Sequence, residues 1–376
     1  MRGLAIFFVL MNHVSIRLLI ARIPYRKFLP PHLVDPLIWN GQAGVQIFFA
    51  VSGFLIASIT LRRWGELSKV NLRDFYLFRF ARIAPLLLLL LAVLTGLHFA
   101  NVHNFVVTPK TGGFGRALLA ALTFHINVLE ARRGYLPGNW DILWSLSVEE
   151  MFYLFFPLLC RLFGRGKLFL AILLVFVALG PPGRTVFSHG NETWSEYCYL
   201  GGMEGIALGC LTAIVVSRVR LARFAIWLLG ACGTAVIALS LIFTVQLNKA
   251  WLGRTGLSFT ILGIGTCMFI VATTQTQWKS PRILTPLLKI GQYSYEVYLT
   301  HMFVVLGFFA LFLSFGKPIR LVPVLFAAAI LTAGFFGAAV ARLYSDPMNR
   351  YLRCRFQQMH DSALSALSVP GESSSA

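Results

Sequence analysis

An ionisable side chain placed inside hydrocarbon costs at least about 2.5 kcal/mol, so each one within a long apolar run is first a functional candidate. In this chain of 376 residues the candidates are His13, Glu149, Glu150, Glu204, Glu296 and His301. Arg2 and His13 stand eleven residues apart in the first apolar run. That spacing is roughly 20° past three helical turns and about 16 Å along the axis, so one helix face carries a cation at the surface and an imidazole in mid-membrane. Such a face can hold an anionic group with the arginine and move a proton with the histidine. The plainer alternative is an arginine anchored at the cytoplasmic surface and a histidine bonded to a neighbouring helix. Arg17 lies near the far end of the same run and is expected to snorkel to the surface.

In the stretch from Trp144 to Tyr153, Ser145 shares a face with Glu149, and Ser147 with Glu150. Adjacent carboxylates diverge by about 100°, so they are not expected to face one partner. One should enter the interior and the other lie near the outer interface, with Asp141 as a possible cap of the helix start. Ser294, Tyr298 and His301 recur at i, i+4 and i+7 and form a polar stripe, which serves equally as a site or as glue between helices. His13 and His301 both fall near the bilayer middle, and Glu149 reaches a comparable depth from the opposite side. Arg79 and Arg82, at i,i+3 before Pro85, suit either a diphosphate or anionic lipid headgroups. No GxSxG elbow, HExxH pair or phosphate loop is present. The glycines around Glu204 suit helix packing.

The elements that must position these groups are membrane helices. The chain is 57% hydrophobic and 12% charged, against roughly a quarter charged in ordinary soluble domains. Runs of about 20 apolar residues recur along it, which implies an all-α integral membrane bundle of about ten transmembrane helices without a soluble domain. An eleventh helix arises only if the short run 116–129 crosses. With that run not crossing and both termini cytoplasmic, 20 of the 33 Lys and Arg lie inside, six of them between Arg62 and Arg82. A net charge of +19 spread through short loops argues against nucleic acid as a partner and for membrane lipids. The six cysteines form no CxxC pair, so neither a disulfide framework nor a metal site is expected. No cleavable signal is evident, and the first run is taken as a retained span. Residues 1–350 are expected to form the membrane domain and 351–376 a short, disordered cytoplasmic tail.

Five stretches in this order carry a resemblance: Arg2-Gly3-Leu4-Ala5 with His13; Gly44 to Ile56; Arg79-Phe80-Ala81-Arg82-Ile83-Ala84-Pro85; Trp144 to Glu150; and Ser294 through Tyr298 to His301. The chain resembles the acyltransferase-3 family of multi-pass membrane O-acyltransferases over roughly residues 2 to 350. It differs in having Gln46 where members often carry an acidic residue, and Phe78 where they often carry a further arginine. Members usually have several residues before the first arginine, where this chain has only Met1. Some relatives carry an esterase-like domain after the membrane part, for which the roughly 30 residues after the last predicted span are too few.

The resemblance implies an acyl-CoA donor, expected to be acetyl-CoA, with no metal, and an acceptor hydroxyl on a carbohydrate such as a surface polysaccharide or lipid-linked sugar. It implies a bacterial plasma (inner) membrane protein. In the resulting scheme His13 is the general base, with Glu149 or Glu150 orienting the acceptor or the imidazolium. Arg2, Arg79 and Arg82 hold the donor phosphates, and Ser145, Ser147, Ser294 and Tyr298 contact substrate. An acyl-enzyme route through His13 or His301 stays open. The rival class is a transporter or flippase whose midplane charges bind cargo, against which the runs show no evident inverted repeat.

Overall fold

The computed structural model describes residues 1–25, 31–276 and 280–368. In lipid every backbone N–H and C=O must be satisfied within the chain, and helices meet that demand. The order begins with α1 (Arg2–Ile20), a short α2 (Pro31–Ile38), α3 (Gly41–Trp64) and α4 (Leu72–Phe99). Two short helices, α5 (Phe114–Leu122) and α6 (Ile126–Arg133), precede α7 (Leu143–Phe163) and α8 (Lys167–Arg184). Next come α9 (Glu192–Tyr197), α10 (Tyr199–Arg218), α11 (Arg223–Ile242), the small α12 (Thr244–Lys249) and α13 (Trp251–Arg254), and α14 (Leu257–Gln275). The chain closes with α15 (Thr285–Gln292), α16 (Ser294–Ser314), α17 (Val322–Val340) and α18 (Asp346–Ser368).

Among the described residues ten helices are long and apolar enough to cross a membrane, and there is no strand. The run 116–129 is not one of them. It breaks at Phe124, whose φ of +56° ends α5 before α6 begins. The tail departs from expectation, because α18 continues through Ser368. Its Leu, Gln, Met and Ala residues favour helix, and Asp346 and Pro347 suit a first turn. Residues 369–376 lie outside those described.

The central helix is α3, packed against α1, α10 and α14. Its contact with α10 is backbone on backbone: a Cβ added at Gly53 would strike the carbonyl of Ile206, and one at Gly209 would strike that of Ala50. Cys210 Sγ donates to Gly53 O across the same seam at 3.3 Å. Behind it, Glu204 accepts from Arg184 and Thr260, while Arg184 also donates to Gly201 O at 2.7 Å and Gly256 O at 3.0 Å. Glu204 is thereby a fully partnered strut joining α8, α10 and α14.

The connector from α4 to α7 covers one end of the bundle. Asn127 Nδ2 donates to Tyr197 O at 3.1 Å, and Glu130 Oε1 accepts from Leu136 N at 2.9 Å. The other oxygen of Glu130 is buried without a donor and interacts with Asp141. Two facing carboxyls can bond only when one keeps a proton. Burial pushes Asp141 up to about 6, and burial followed by the facing Asp141 raises Glu130 well above the usual carboxylate range.

Two outcomes test this packing. Gly53→Ala has no flexible neighbour to yield and should destabilise the protein by about 1–3 kcal/mol, read as a lower unfolding temperature in detergent, while Gly96→Ala, which faces open space, should not. The carboxyl pair holds a proton that the unfolded chain releases near pH 4, so stability should fall as pH rises through about 4 to 6. Glu130→Gln supplies the shared hydrogen permanently. It should unfold at a higher temperature than wild type at pH 8, with the gap closing towards pH 4.

Candidate functional site

The site is built from α1, α3, α4, α7 and α16. At one end of the bundle, Asn71 caps α4 by accepting from Asp74 N at 3.1 Å, and the helix then carries Arg79 and Arg82 inward. Arg79 Nη2 donates to Glu150 Oε1 at 2.7 Å and reaches Glu149 Oε1 at 3.5 Å, with Nε 3.4 Å from Glu150 Oε2. Its guanidinium lies 3.7 Å from the Tyr153 ring centroid, and Tyr153 donates to Glu149 Oε1 at 2.9 Å. The expectation that adjacent carboxylates cannot share a partner is therefore overturned, and neither carboxylate lies apart near the outer interface. Arg79 comes from a facing helix and sits over the seam between the two side chains, where its planar fork of donors spans both.

Arg82 Nη2 donates to Glu296 Oε2 at 3.3 Å, while Nη1 sits 2.9 Å from Oε1 as an ion pair off hydrogen-bonding angle. Asp346 Oδ1 is 3.8 Å away. Carbonyls of α4 around Pro85 also accept from other helices: Tyr295 donates to Ile83 O at 2.7 Å and Tyr344 to Pro85 O at 3.2 Å. Tyr344 belongs to a π-helical turn, Ala341–Ser345, that delivers Asp346 to Arg82. Arg2 joins this cluster. Its guanidinium is 5.1 Å from the Phe48 ring, its Nε is buried without a partner, and Glu149, Arg79 and Arg82 are within electrostatic reach. At the same end the guanidiniums of Arg63 and Arg353 lie 3.7 Å and 5.1 Å from the Phe78 ring. The positive charge that Phe78 does not supply thus arrives from α3 and α18.

Further along, the rings of His13 and His301 stand 5.0 Å apart. His301 Nδ1 is 2.6 Å from Tyr298 O, a carbonyl that can only accept, so Nδ1 carries the hydrogen and Nε2 keeps its lone pair. That Nε2 is buried with no partner. Tyr298 donates to Ile142 O at 2.9 Å and meets Ser145 Oγ at 2.5 Å. His13 opens onto a vestibule of about 490 Å³, lined also by Asn12, Arg17, Asp141, Trp144 and Tyr298. Trp144 stacks on Tyr197 with centroids 4.0 Å apart and planes within 6°. A recess of about 20 Å³ lies against both ends, sharing Val9, Val45 and Tyr298 with the lining of the vestibule and Glu149 with the arginine cluster, and bounded also by Ala5 and Ser145.

The structure thus brings His13, His301, Ser145 and Tyr298 together, and gathers Arg2, Arg79, Arg82, Glu149 and Glu150 into a second cluster, of which Glu149 lines the recess. Ser147 and Ser294 do not join them. Ser147 Oγ donates to Leu143 O at 2.9 Å and accepts from Ile126 N at 3.2 Å, which holds the start of α6. Ser294 Oγ is buried without a partner at the beginning of α16 and lines neither recess nor vestibule. Arg17 was misjudged by sequence reasoning. It turns inward to the vestibule, its Nε buried without a partner and Asp141 within reach. Its i,i+4 relation to His13 was the available signal. Among the described residues no group of three His, Cys, Asp or Glu side chains could hold a metal ion.

The family described as Acyltransferase domain matches residues 1–343. O-acetyltransferase OatA of Staphylococcus aureus is 28% identical over 295 residues, covering 72% of this chain and 47% of that protein. Peptidoglycan O-acetyltransferase OatA of Listeria monocytogenes is 28% identical over 279 residues, covering 70% of this chain and 44% of that one. The chain spans about half the length of the curated relatives it matches. No solved structure matches it. The chain belongs to the acyltransferase-3 family, whose Acyltransferase domain coincides with this multi-pass membrane bundle.

Proposed function

We propose that the protein transfers an acyl group, acetyl by analogy with the relatives' names, from a coenzyme-A thioester to a hydroxyl of a carbohydrate acceptor at the bacterial plasma membrane. The observation that carries this reading is the His13–His301 pair, set between an arginine-rich mouth and a polar, aromatic vestibule. The distribution of basic residues favours a cytoplasmic arginine-rich end, with both termini on that side. The donor then approaches from the cytoplasm and the acceptor from the opposite face.

Arg2, Arg79 and Arg82 are balanced by Glu149, Glu150 and Glu296, so this cluster offers little net charge to a diphosphate. Arg63 and Arg353 add the positive charge, with Arg82 and the unpartnered Nε of Arg2 beneath them. Arg79 holds the two carboxylates and shapes the floor. The thioester approaches His13 from this side, and the recess, with room for about one water, must widen to admit its carbonyl.

The acceptor hydroxyl lies against His13. As its oxygen attacks the thioester carbon, the C–O bond forms, the C–S bond breaks and the proton passes to His13. The departing thiolate recovers that proton, giving ester and free thiol. His301 Nε2 is suited to accept a hydrogen bond from the imidazolium, and Arg17 is placed to bind the hydroxyl as it ionises. The ionisable groups that act on His13 are His301 and Arg17, so the orienting role goes to these two in place of Glu149 and Glu150.

His13→Ala should lower transfer by about a hundredfold or more with insertion and expression intact, the usual scale for losing a general base. Near-normal transfer by this variant in membranes would return His13 to a packing role. Arg63→Ala and Arg353→Ala should each raise the KM for acetyl-CoA by about tenfold and leave kcat largely unchanged, since they remove binding common to ground and transition states. A KM that depends on anionic lipid and not on these side chains would assign the pair to membrane anchoring.

A further inference from the structure

Beside the vestibule lies a larger cavity of about 710 Å³, bounded by the ends of α8, α11 and α14 and by the short α12 and α13. The two spaces share Trp39, Gln42 and Glu196 as a common wall. Each alone is the size of a single small-ligand site, and together they exceed what one sugar needs. The mechanism uses only the vestibule.

The walls of the larger cavity suit a neutral polyhydroxylated ligand. Ser195 gives its proton to Arg184 O at 2.6 Å, and Thr244 gives its own to Asn40 Oδ1 at 2.5 Å or Ser240 O at 2.8 Å. Both oxygens are left to accept, which is what sugar hydroxyls ask of a protein. Arg184 is already bound to Glu204, and the lining's two cations, Arg184 and Lys249, are matched in number by its two carboxylates, Asp35 and Glu196, so the wall carries no net positive charge to demand an anion. Trp39, 36% exposed at the junction, and Phe259 supply apolar faces for a ring. A lipid tail would meet too many polar atoms in this space.

We infer that this cavity is a second acceptor subsite, which holds the sugar units next to the one acylated at His13. The inference rests on the vestibule being the acceptor site, as proposed above. It makes the acceptor an extended glycan strand lying across Trp39, in place of a lone sugar.

The test uses the full chain in lipid nanodiscs with acetyl-CoA and a series of β-1,4-linked N-acetylglucosamine acceptors from mono- to hexasaccharide. Wild-type kcat/KM should rise by about tenfold or more between mono- and trisaccharide. Ser258→Trp, which fills the cavity, should abolish that rise and leave the monosaccharide rate unchanged. Asn248→Ala, on its rim, should reduce the rise more mildly and serves if the tryptophan variant does not fold. A wild-type rate that does not vary with length, or variants that keep the full rise, would overturn the inference while monosaccharide turnover still upheld the proposed reaction. Absence of transfer to every member of the series, in preparations that insert normally, would sink the carbohydrate reading and this inference with it.

Discussion

Everything at the arginine-rich end depends on the fork of Arg79 closing over Glu149 and Glu150. Two adjacent carboxylates buried without a cation would repel one another and lose their hydration, a penalty of several kcal/mol per ion. With Arg79 between them they become the means by which α4 is fixed against α7. Arg82 repeats the device three residues later, where Glu296 and Asp346 tie in α16 and α18. Glu296 lies five residues before His301, about 7.5 Å along the helix, so the pairing that fixes α16 also fixes an imidazole in the site.

This network explains a division of labour. Glu149, Glu150 and Glu296 lie with Arg79 and Arg82 at one end, and the imidazoles lie at the other with Arg17 and Asp141, next to hydroxyls, amides and aromatic rings. The glycines of α3 and α10 make that separation rigid. Helices whose backbones touch at Gly53 and Gly209 have little freedom to slide past one another, in contrast to the rocking repeats of a transporter.

The presence of the long helices was legible in the sequence, because length and hydropathy set them directly. For 116–129 the sequence offers only shortness and a count of basic residues that favours ten spans, and the break at Phe124 shows only in the structure. The alignment of Arg2 with His13 needed only the pitch of one helix, and the stripe through Tyr298 and His301 only that of another. What sequence periodicity could not supply was which faces of different helices meet. The contact between His13 and His301 joins segments 288 residues apart, and the sharing of Arg79 depends on how α4 is rotated towards α7. Arg17 was assigned to the surface because depth was known and direction was not. Ser147 and Ser145 have similar depth on one helix, yet only Ser145 faces the site, because α6 occupies the other side.

The recess that lies against both ends has room for about one water molecule. Elsewhere the membrane voltage falls across about 30 Å of hydrocarbon, but here the vestibule opens on one side and the charged arginine cluster stands on the other, which concentrates the drop over a shorter distance. The field there is correspondingly steep. In the proposed reaction a proton leaves a hydroxyl on the vestibule side and ends on sulfur at the arginine side, so charge moves across that distance with every turnover. With the arginine-rich end cytoplasmic, as proposed, an interior-negative potential pulls it the same way. Cell energisation would then act directly on the chemical step, and vesicles polarised in opposite senses should acylate at different rates.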